Sequence, residues 1–233
     1  MKPNGLKNKT RENHKIDGLS PDANKLRGHS KIINVETLTK NINLAWETTT
    51  TSAEFRSKLL VIFRTTLSEG SNFIQDRFLS NNDGAEAVLA QAYLMDSLIK
   101  AALETVDTKL YRAPNPTRGE QLCIIAVGGY GRGELAPFSD IDLLFLLPYK
   151  QTPRVEQVVE TILYLLWDMK LKVGHSTRSI DECMRQAKAD MTVRTAILES
   201  RYICGEISLM EQMIARFREE IIKGSALEFV EAK

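Results

Sequence analysis

Apolar side chains change their spacing near residue 121, and this change divides the chain into two kinds of structure. From Phe55 to Phe78 and from Val88 to Val106, apolar residues recur at steps of three and four, the period of a helix that packs on a core. Between these stripes, Asn82-Asp83-Gly84 predicts a turn and a helix cap. After residue 121 the apolar residues form short continuous runs, which are typical of buried strands. The pattern predicts an α+β fold, with a helical amino-terminal layer over about 52–112 followed by a small mixed sheet.

Two apolar runs predict the central strands of this sheet. They cover residues 122–127 and 141–147, and Pro148 ends the second run because proline cannot donate a ladder hydrogen bond. Val155 to Met169 then carries an amphipathic stripe of about five helical turns, which we expect to pack on the sheet. Residues 172–178 predict a further strand that returns beside the second one.

The first fifty residues lack this periodicity and are basic. Residues 1–31 hold eight Lys and Arg against three acidic residues, whereas the whole chain has a net charge of only +1. We therefore expect a disordered basic leader over 1–50, a helical layer over 51–115 and a main domain over 116–233. No aromatic residues interleave with the basic ones, so we expect no nucleic-acid partner.

Composition limits the classes of protein to which the chain can belong. Its 233 residues, of which 43% are hydrophobic and 26% charged, are typical of a soluble protein with one sizeable core. No run of about 18 apolar residues predicts a membrane span, and no apolar segment of signal-peptide type follows the basic residues. The three cysteines are odd in number and lack metal-ligand spacing. We expect reduced thiols in a cytoplasmic protein without a membrane partner.

The candidate chemistry lies in residues 128–142, whose sequence is GGYGRGELAPFSDID. Gly128 and Gly129 follow the first strand directly, and glycine lets backbone N–H groups approach and point at phosphate oxygens. Asp140 and Asp142 stand at the start of the second strand, and side chains two residues apart on a strand face the same side. Two adjacent carboxylates repel unless a cation lies between them, and Mg²⁺ favours carboxylates together with substrate phosphates. The segment therefore predicts a magnesium site beside a phosphate-binding turn.

Two common nucleotide motifs do not fit this turn. A dinucleotide-binding fingerprint G-x-G-x-x-G counted from Gly129 ends at Glu134, and no Walker A ending G-K-[ST] is present. The alternative without function is a glycine-rich turn before a strand with two surface aspartates, but carboxylates beside a buried strand are costly without a cation. Two nearby residues have two interpretations each. Ser139 either binds a phosphate oxygen or caps the turn before Asp140, and Arg132 either binds phosphate or pairs with Glu134.

At these residues the chain resembles the polymerase-β-type nucleotidyltransferase superfamily, whose signature is a Gly-Gly or Gly-Ser turn followed about a dozen residues later by Asp-x-Asp. The resemblance extends to the run GGYGRGELxPxSDIDLL, to VGHSTR at 173–178 and to LESR at 198–201. Together these segments are similar to the amino-terminal catalytic region of the bacterial PII uridylyltransferase/uridylyl-removing family. The similarity covers roughly residues 50–220.

This resemblance implies a polymerase-β-like fold and an enzyme that transfers UMP from UTP to a tyrosine of the nitrogen-regulatory PII protein, with a divalent cation. It implies that Gly128 and Gly129 bind the nucleotide phosphates and that Asp140 and Asp142 are the catalytic Mg²⁺ ligands. Members of this family are several times longer, so we expect a truncated form that stops before their hydrolase and sensing domains. The three histidines of this chain include no His-Asp doublet, and we therefore expect no uridylyl-removing activity.

The third functional group of such a site stays open. Superfamily members commonly place a third carboxylate on the strand predicted over 172–178, where this chain has Gly174 and His175. His175 is a candidate hydrogen-bonding or proton-accepting group, although a lone strand histidine is more often structural. Glu199 and Asp190 are weaker candidates, because acids in helices or at helix caps usually face solvent.

Two further questions also stay open at this point. Arg178 and Arg201 either neutralise triphosphate charge through bidentate contacts or form surface ion pairs. The chain is either a PII-modifying enzyme, a nucleotide-binding or protein-interaction module without turnover, or a transferase that uses another nucleotide. A turn that binds phosphates does not distinguish between bases.

Overall fold

The computed structural model of the chain describes residues 29–223. Over that range the helices are α1 (His29–Ile32), α2 (Val35–Glu47), α3 (Ser52–Asn81), α4 (Gly84–Thr105), α5 (Gly128–Gly131), α6 (Pro153–Asp168), α7 (Ile180–Ala189), α8 (Met191–Leu198) and α9 (Ile207–Phe217). The strands are β1 (Cys123–Ala126), β2 (Ile141–Leu147), β3 (Val173–Ser179) and β4 (Arg201–Gly205). Short π-helical turns extend α4 over Val106–Leu110 and α9 over Arg218–Ile222, and a 3₁₀ turn at Arg118–Glu120 precedes β1.

The two long helices of the amino-terminal layer form where the apolar stripes predict them. Thr51 caps α3, because its side chain accepts a hydrogen bond from the Glu54 N–H at 3.2 Å. Asp83 caps α4 in the same way and accepts from the Glu86 N–H at 2.9 Å. Between the helices, Asn82 takes a left-handed conformation with φ of 55° and ends α3. The predicted turn and cap are therefore confirmed.

The structure corrects the prediction of a disordered leader over 1–50. Residues 29–47 are largely helical, and α2 begins at a cap in which the Asn34 side chain accepts from the Thr37 N–H at 2.9 Å. The basic segment over 1–31 is followed directly by a short apolar stripe, which the prediction did not include. This stripe becomes the buried face of α2, which comprises Leu38, Ile42 and Ala45. Residues 1–28 lie outside the described residues.

The four strands form one mixed sheet in the order β3-β2-β1-β4. β1 lies antiparallel to both β2 and β4, whereas β3 lies parallel to β2 and is connected to it through α6. In the parallel pair, Asp142 is in register with Gly174, and Leu143 is in register with His175. The predicted α+β fold with a small mixed sheet is confirmed, and so is the position of the third predicted strand beside the second.

Both faces of the sheet are buried. Along β2, Leu143 and Phe145 pack on one face with the amino-terminal helices and α6, while Leu144 and Leu146 pack on the other face with α7 and α9. This alternation makes β2 a continuous apolar run, which is why the sequence could not distinguish its two faces. Asp142 shares the face of Leu144, at the end of the sheet where β1 stops and β2 begins.

Two observations on the described residues concern membrane-spanning helices and cysteines. None of the helices within 29–223 is long and apolar enough to cross a membrane. The cysteines Cys123, Cys183 and Cys204 are free and buried. Burial raises the pKa of Cys123 to about 12 and that of Cys183 to about 11, so these thiols stay protonated at neutral pH.

Gly70 offers a test of how the amino-terminal layer is packed. A Cβ atom at this buried position of α3 would lie 2.7 Å from the Ile32 carbonyl oxygen and 2.8 Å from the Leu94 methyl carbons. We expect Gly70→Ala to lower the free energy of unfolding by about 1–2 kcal/mol, because overpacking outweighs the gain in helix propensity. Urea unfolding followed by circular dichroism measures this change.

Gly84→Ala is the matched control. Gly84 is the first residue of α4, and a Cβ atom there meets nothing within 4 Å. This variant should be neutral or more stable by up to about 1 kcal/mol. If the two variants were equally stable, the close approach of α1 and α4 to Gly70 would be wrong.

Candidate active site

The glycine turn that follows β1 is held directly against the start of β2. The Val127 N–H donates to the Asp142 carbonyl oxygen at 3.0 Å, and the chain then enters the single helical turn α5. Gly128 begins that turn with φ of +60°, a conformation that favours glycine. Gly131 approaches the chain beyond α8 so closely that a Cβ atom would lie 2.0 Å from the Glu199 carbonyl oxygen. Both glycines are therefore required by backbone geometry.

Asp140 and Asp142 are brought together as the two-residue spacing predicts. Asp142 is half-buried at the start of β2, and Asp140 is exposed in the segment that leads into the strand. Burial raises the pKa of the Asp142 carboxyl, and the neighbouring charge of Asp140 raises it further. Among the described residues, no ion pair includes either aspartate. The pair is thus a concentration of negative charge that a cation would relieve.

The Asp142 carboxylate lies between two glycines. A Cβ atom on Gly128 would lie 3.2 Å from Asp142 Oδ2, and one on Gly174 would lie only 2.3 Å from Asp142 Oδ1. Gly174 stands next to Asp142 in the register of β2 and β3, so any side chain there would displace the carboxylate. From the sequence, Gly174 was interpreted only as a position where a third carboxylate is absent. The signal was present in the sequence, as a glycine within a strand, which often marks a close approach.

The donor set fits magnesium. Mg²⁺ takes one or two carboxylates and completes its octahedron with water and substrate phosphates, and the paired aspartates supply that number. Within residues 29–223, no group of three or more His, Cys, Asp or Glu side chains is arranged to hold a metal ion.

Arg132 stands beside the turn but pairs with a different partner from the one predicted. Its Nη1 lies 3.1 Å from Glu199 Oε2, so the suggested pair with Glu134 is wrong. A Cβ atom on Gly129 would lie 3.6 Å from Arg132 Nη2, which places the guanidinium next to the glycine turn. About half of the Arg132 side chain is exposed, so the group is accessible to a ligand.

Ser139 lies in a turn closed by its own N–H, which donates to the Ala136 carbonyl oxygen at 3.1 Å. The preceding Phe138 has φ of 68° and a fully exposed side chain. Ser139 lines a cavity of about 600 Å³ between this loop and the helical layer, and neither Asp140 nor Asp142 does. The structure therefore places Ser139 at the border between the aspartate pair and that cavity.

The candidates for a third group do not join the aspartates. His175 is exposed, packs edge-on against Trp167 with ring centroids 5.8 Å apart, and shares the sheet face of Leu143 rather than that of Asp142. Asp190 caps α8 by accepting from the Thr192 N–H at 2.7 Å. Glu199 is near the turn but is paired with Arg132.

Arg201 is not available to a triphosphate. It is 5% exposed and forms a bidentate pair with Asp96, from Nη1 to Oδ2 at 2.6 Å and from Nη2 to Oδ1 at 3.1 Å. The suggestion that it binds phosphate is therefore wrong. Arg178 lies further along β3, in register with Leu146 and four residues beyond Gly174, or about 13 Å at the usual strand rise. It is too far away to be a direct partner of the aspartates.

Comparison with known proteins shows what the residues around this site are similar to. Residues 117–203 match the family described as the nucleotidyltransferase domain. This part of the chain is therefore similar to nucleotidyltransferase domains. The matched range includes the glycine turn and both aspartates, so the resemblance drawn from the motifs is confirmed.

The chain is also similar, well beyond the nucleotidyltransferase domain, to proteins named bifunctional uridylyltransferase/uridylyl-removing enzyme. It is 52% identical to that of Azospirillum brasilense over 183 residues, which are 78% of this chain and 20% of the relative. It is 46% identical to that of Rhodospirillum rubrum over 210 residues, 90% of this chain and 22% of the relative. It is 46% identical to that of Rhodopseudomonas palustris over 190 residues, which are 82% of this chain and 20% of the relative. The chain thus spans about a fifth of the length of these relatives.

The raised pKa of Asp142 predicts how the metal-free nucleotidyltransferase domain responds to pH. Because the folded-state pKa lies above that of the unfolded chain, this carboxyl stabilises the fold at low pH and loses that effect as pH rises through the raised value. The Asp142→Asn variant does not lose stability in this way, because an amide does not ionise. Its melting temperature at pH 7 should equal or exceed that of the wild type by up to about 3 °C, whereas near pH 3 the two should agree.

Thermal unfolding in EDTA across this pH range measures the difference. Asp76→Asn, at an exposed position on α3, controls for the loss of one negative charge. If Asp142→Asn were less stable than the wild type at pH 7, the ionised Asp142 carboxylate would not destabilise the folded protein, and the prediction would be wrong.

Proposed function

We propose that this chain transfers UMP from UTP to a tyrosine hydroxyl of the PII regulatory protein and releases pyrophosphate. The observation that carries the proposal is the contact between the Asp142 carboxylate and the Gly128 turn, within a nucleotidyltransferase domain. The identity of 46–52% to enzymes named uridylyltransferase supports uridine as the base. We name the PII protein as acceptor because the motifs resemble those of the PII uridylyltransferase family. The absence of uridylyl-removing activity and the cytoplasmic location of this chain both stay predictions.

The chemistry is an in-line displacement at the α-phosphorus. A bond forms between the acceptor hydroxyl oxygen and this phosphorus, the bond to the bridging oxygen of pyrophosphate breaks, and the hydroxyl proton is lost to solvent or to a base. Magnesium bound to Asp140 and Asp142 would neutralise the charge that develops on the phosphate oxygens. Asp142 contributes a carboxylate for which Gly128 and Gly174 leave room beside the turn.

The triphosphate lies along the glycine turn in this proposal. The amides of Gly131, Arg132 and Gly133 donate to carbonyl groups of the turn itself. Those of Gly128 and Gly129 come first in the turn, where helix geometry provides no internal acceptor, so they are the donors offered to phosphate. Arg132 adds positive charge by exchanging Glu199 for a phosphate oxygen, since exposed ion pairs are weak. Ser139 supplies a hydroxyl at the edge of the same site.

The direct test is to incubate the chain with magnesium, PII protein and each of the four nucleoside triphosphates labelled at the α-phosphate. Label on PII from UTP alone supports the proposal. Label from another nucleotide would show a related transferase with different base selection. Binding of UTP without label on PII would favour a module without turnover.

Asp140→Asn and Asp142→Asn should each remove transfer without unfolding the protein. An amide in place of a carboxylate removes a negative charge that magnesium needs, and we expect the rate to fall by at least about 100-fold. The rate of PII labelling and the circular dichroism spectrum are measured together, with Asp76→Asn as the control that keeps wild-type activity. Near-normal turnover in either variant would refute the assignment of the metal ligands.

Gly129→Val should weaken UTP binding much more than it disturbs the fold. Of the two glycines, only Gly128 has positive φ, so Gly129 tolerates a side chain in its own conformation. The nearest atom to its Cβ, Arg132 Nη2 at 3.6 Å, is at an ordinary contact distance. A valine would instead occupy the space next to the amides proposed to hold phosphate.

Isothermal titration with UTP and with free uridine separates these effects. We expect the dissociation constant of UTP to rise at least about tenfold with little change for uridine, which lacks the phosphates. Equal losses for the two ligands, or a collapsed circular dichroism spectrum, would show that this turn is only structural.

A further inference from the structure

A buried polar cluster connects the amino-terminal helical layer to the glycine turn. Asp96 on α4, Tyr130 in α5 and Arg201 at the start of β4 are 1%, 1% and 5% exposed. The Tyr130 hydroxyl donates to Asp96 Oδ1 at 2.6 Å, and Arg201 forms its bidentate pair with the same carboxylate. Arg201 also donates from Nη2 to the Tyr130 carbonyl oxygen at 3.2 Å. Tyr130 and Arg201, which are 34 and 105 positions from Asp96 in the chain, therefore both contact the Asp96 side chain.

We propose that Asp96 is a positioning residue for the phosphate-binding turn and acts through Tyr130 and Arg201. The inference rests on the proposed function to the extent that the turn binds a triphosphate. Asp96 lies outside the range 117–203 that matches the nucleotidyltransferase domain, so the helical layer contributes to the site.

The composition of the turn makes this connection necessary. Its four residues are Gly128, Gly129, Tyr130 and Gly131, so Tyr130 provides the one side chain by which the turn can be held. Three glycines give the backbone more conformational freedom than any other residues would. The cluster restrains Tyr130 twice, through its hydroxyl and through its carbonyl oxygen. A restraint at both ends of one residue fixes the orientation of the amides immediately before it.

The Arg201 guanidinium adds a third restraint, because it lies 5.2 Å from the centre of the Tyr130 ring. An apolar cluster of the same volume would fill the space as well and would avoid burying charge. It would lack the directional bonds that set the rotation of the turn. The polar composition is therefore better explained by orientation than by stability.

Two members of the cluster, Tyr130 and Arg201, keep their proton-donating forms at neutral pH. Burial, and then the charge of Asp96, raises the pKa of Tyr130 well above its usual value, so its hydroxyl remains a donor. Burial alone would lower the pKa of Arg201, but the charge of Asp96 and its hydrogen bonds raise it.

The test uses the full chain and four variants. Tyr130→Phe removes only the hydroxyl bond and keeps the ring, Asp96→Asn removes the charge, and Arg201→Lys keeps a charge but loses the bidentate fork. Phe63→Leu is the matched control, because Phe63 is fully buried in the same layer but on α3. All variants are compared at a temperature at which circular dichroism shows them folded.

Two measurements distinguish positioning from general stability. Hydrogen exchange of the amides over 128–133 reports the mobility of the turn without any ligand. Titration with magnesium and UTP, together with the separate kcat and KM for PII labelling, reports the effect on the triphosphate. We expect Tyr130→Phe to accelerate exchange in the turn and to weaken UTP about tenfold, and Asp96→Asn to weaken it by up to about 100-fold, mainly in KM.

The inference is overturned if Tyr130→Phe lowers the melting temperature but leaves exchange in the turn and UTP affinity at wild-type values. It is equally overturned if Phe63→Leu causes the same loss of affinity at a similar melting temperature. Failure of the proposed function gives a different result, since the wild type itself would then label no PII, whether or not it binds UTP. In that case hydrogen exchange still decides whether Asp96 holds the turn.

Discussion

The arrangement around the site depends on placing the Asp142 carboxylate at the end of a sheet that is buried on both faces. Burial and the neighbouring charge of Asp140 disfavour its ionised form, and the described residues provide no ion pair for it. The carboxylate is accommodated by space instead, because Gly128 and Gly174 flank it without side chains. The strand register places Gly174 next to Asp142, and Gly128 takes a positive φ on the other side of the carboxylate. In the proposed function, a cation that arrives with the substrate would compensate this charge.

Space for a carboxylate does not by itself give a defined geometry, since a turn rich in glycine is mobile. Residues that are distant in the chain restrain the conformation of the turn. α4 presents Asp96 to the back of the turn, and β4 presents Arg201 to the same point, so two elements far apart in the chain hold Tyr130 between them. The front of the turn is left open to ligand. The helical layer and the sheet therefore both hold the same few backbone atoms of the turn.

The parts of the fold that could be predicted from sequence are those set by local patterns. α3, α4, β1, β2 and the aspartate pair each depend on a period or a spacing within a few residues. α2 was missed because its stripe is short and follows a basic segment. Gly174, Asp96 and Arg201 were missed or misassigned for another reason: each acquires its role from a partner between about 30 and 105 residues away. Arg201 in particular looked like a surface cation, and only its depth in the fold shows that it is structural.

The same distinction separates reaction class from substrate. In the proposed function, the turn and the aspartates act on phosphate groups that all nucleoside triphosphates share, so a local motif is sufficient to indicate nucleotidyl transfer. Selection of a base and of an acceptor protein requires side chains that contact those groups, and the turn offers only Tyr130, whose side chain is buried. Specificity must therefore come from residues around the turn rather than within it. Arg132 and the loop that carries Phe138 and Ser139 are exposed next to the site, and the helical layer that forms the cavity beside Ser139 is the same layer that holds the turn in place.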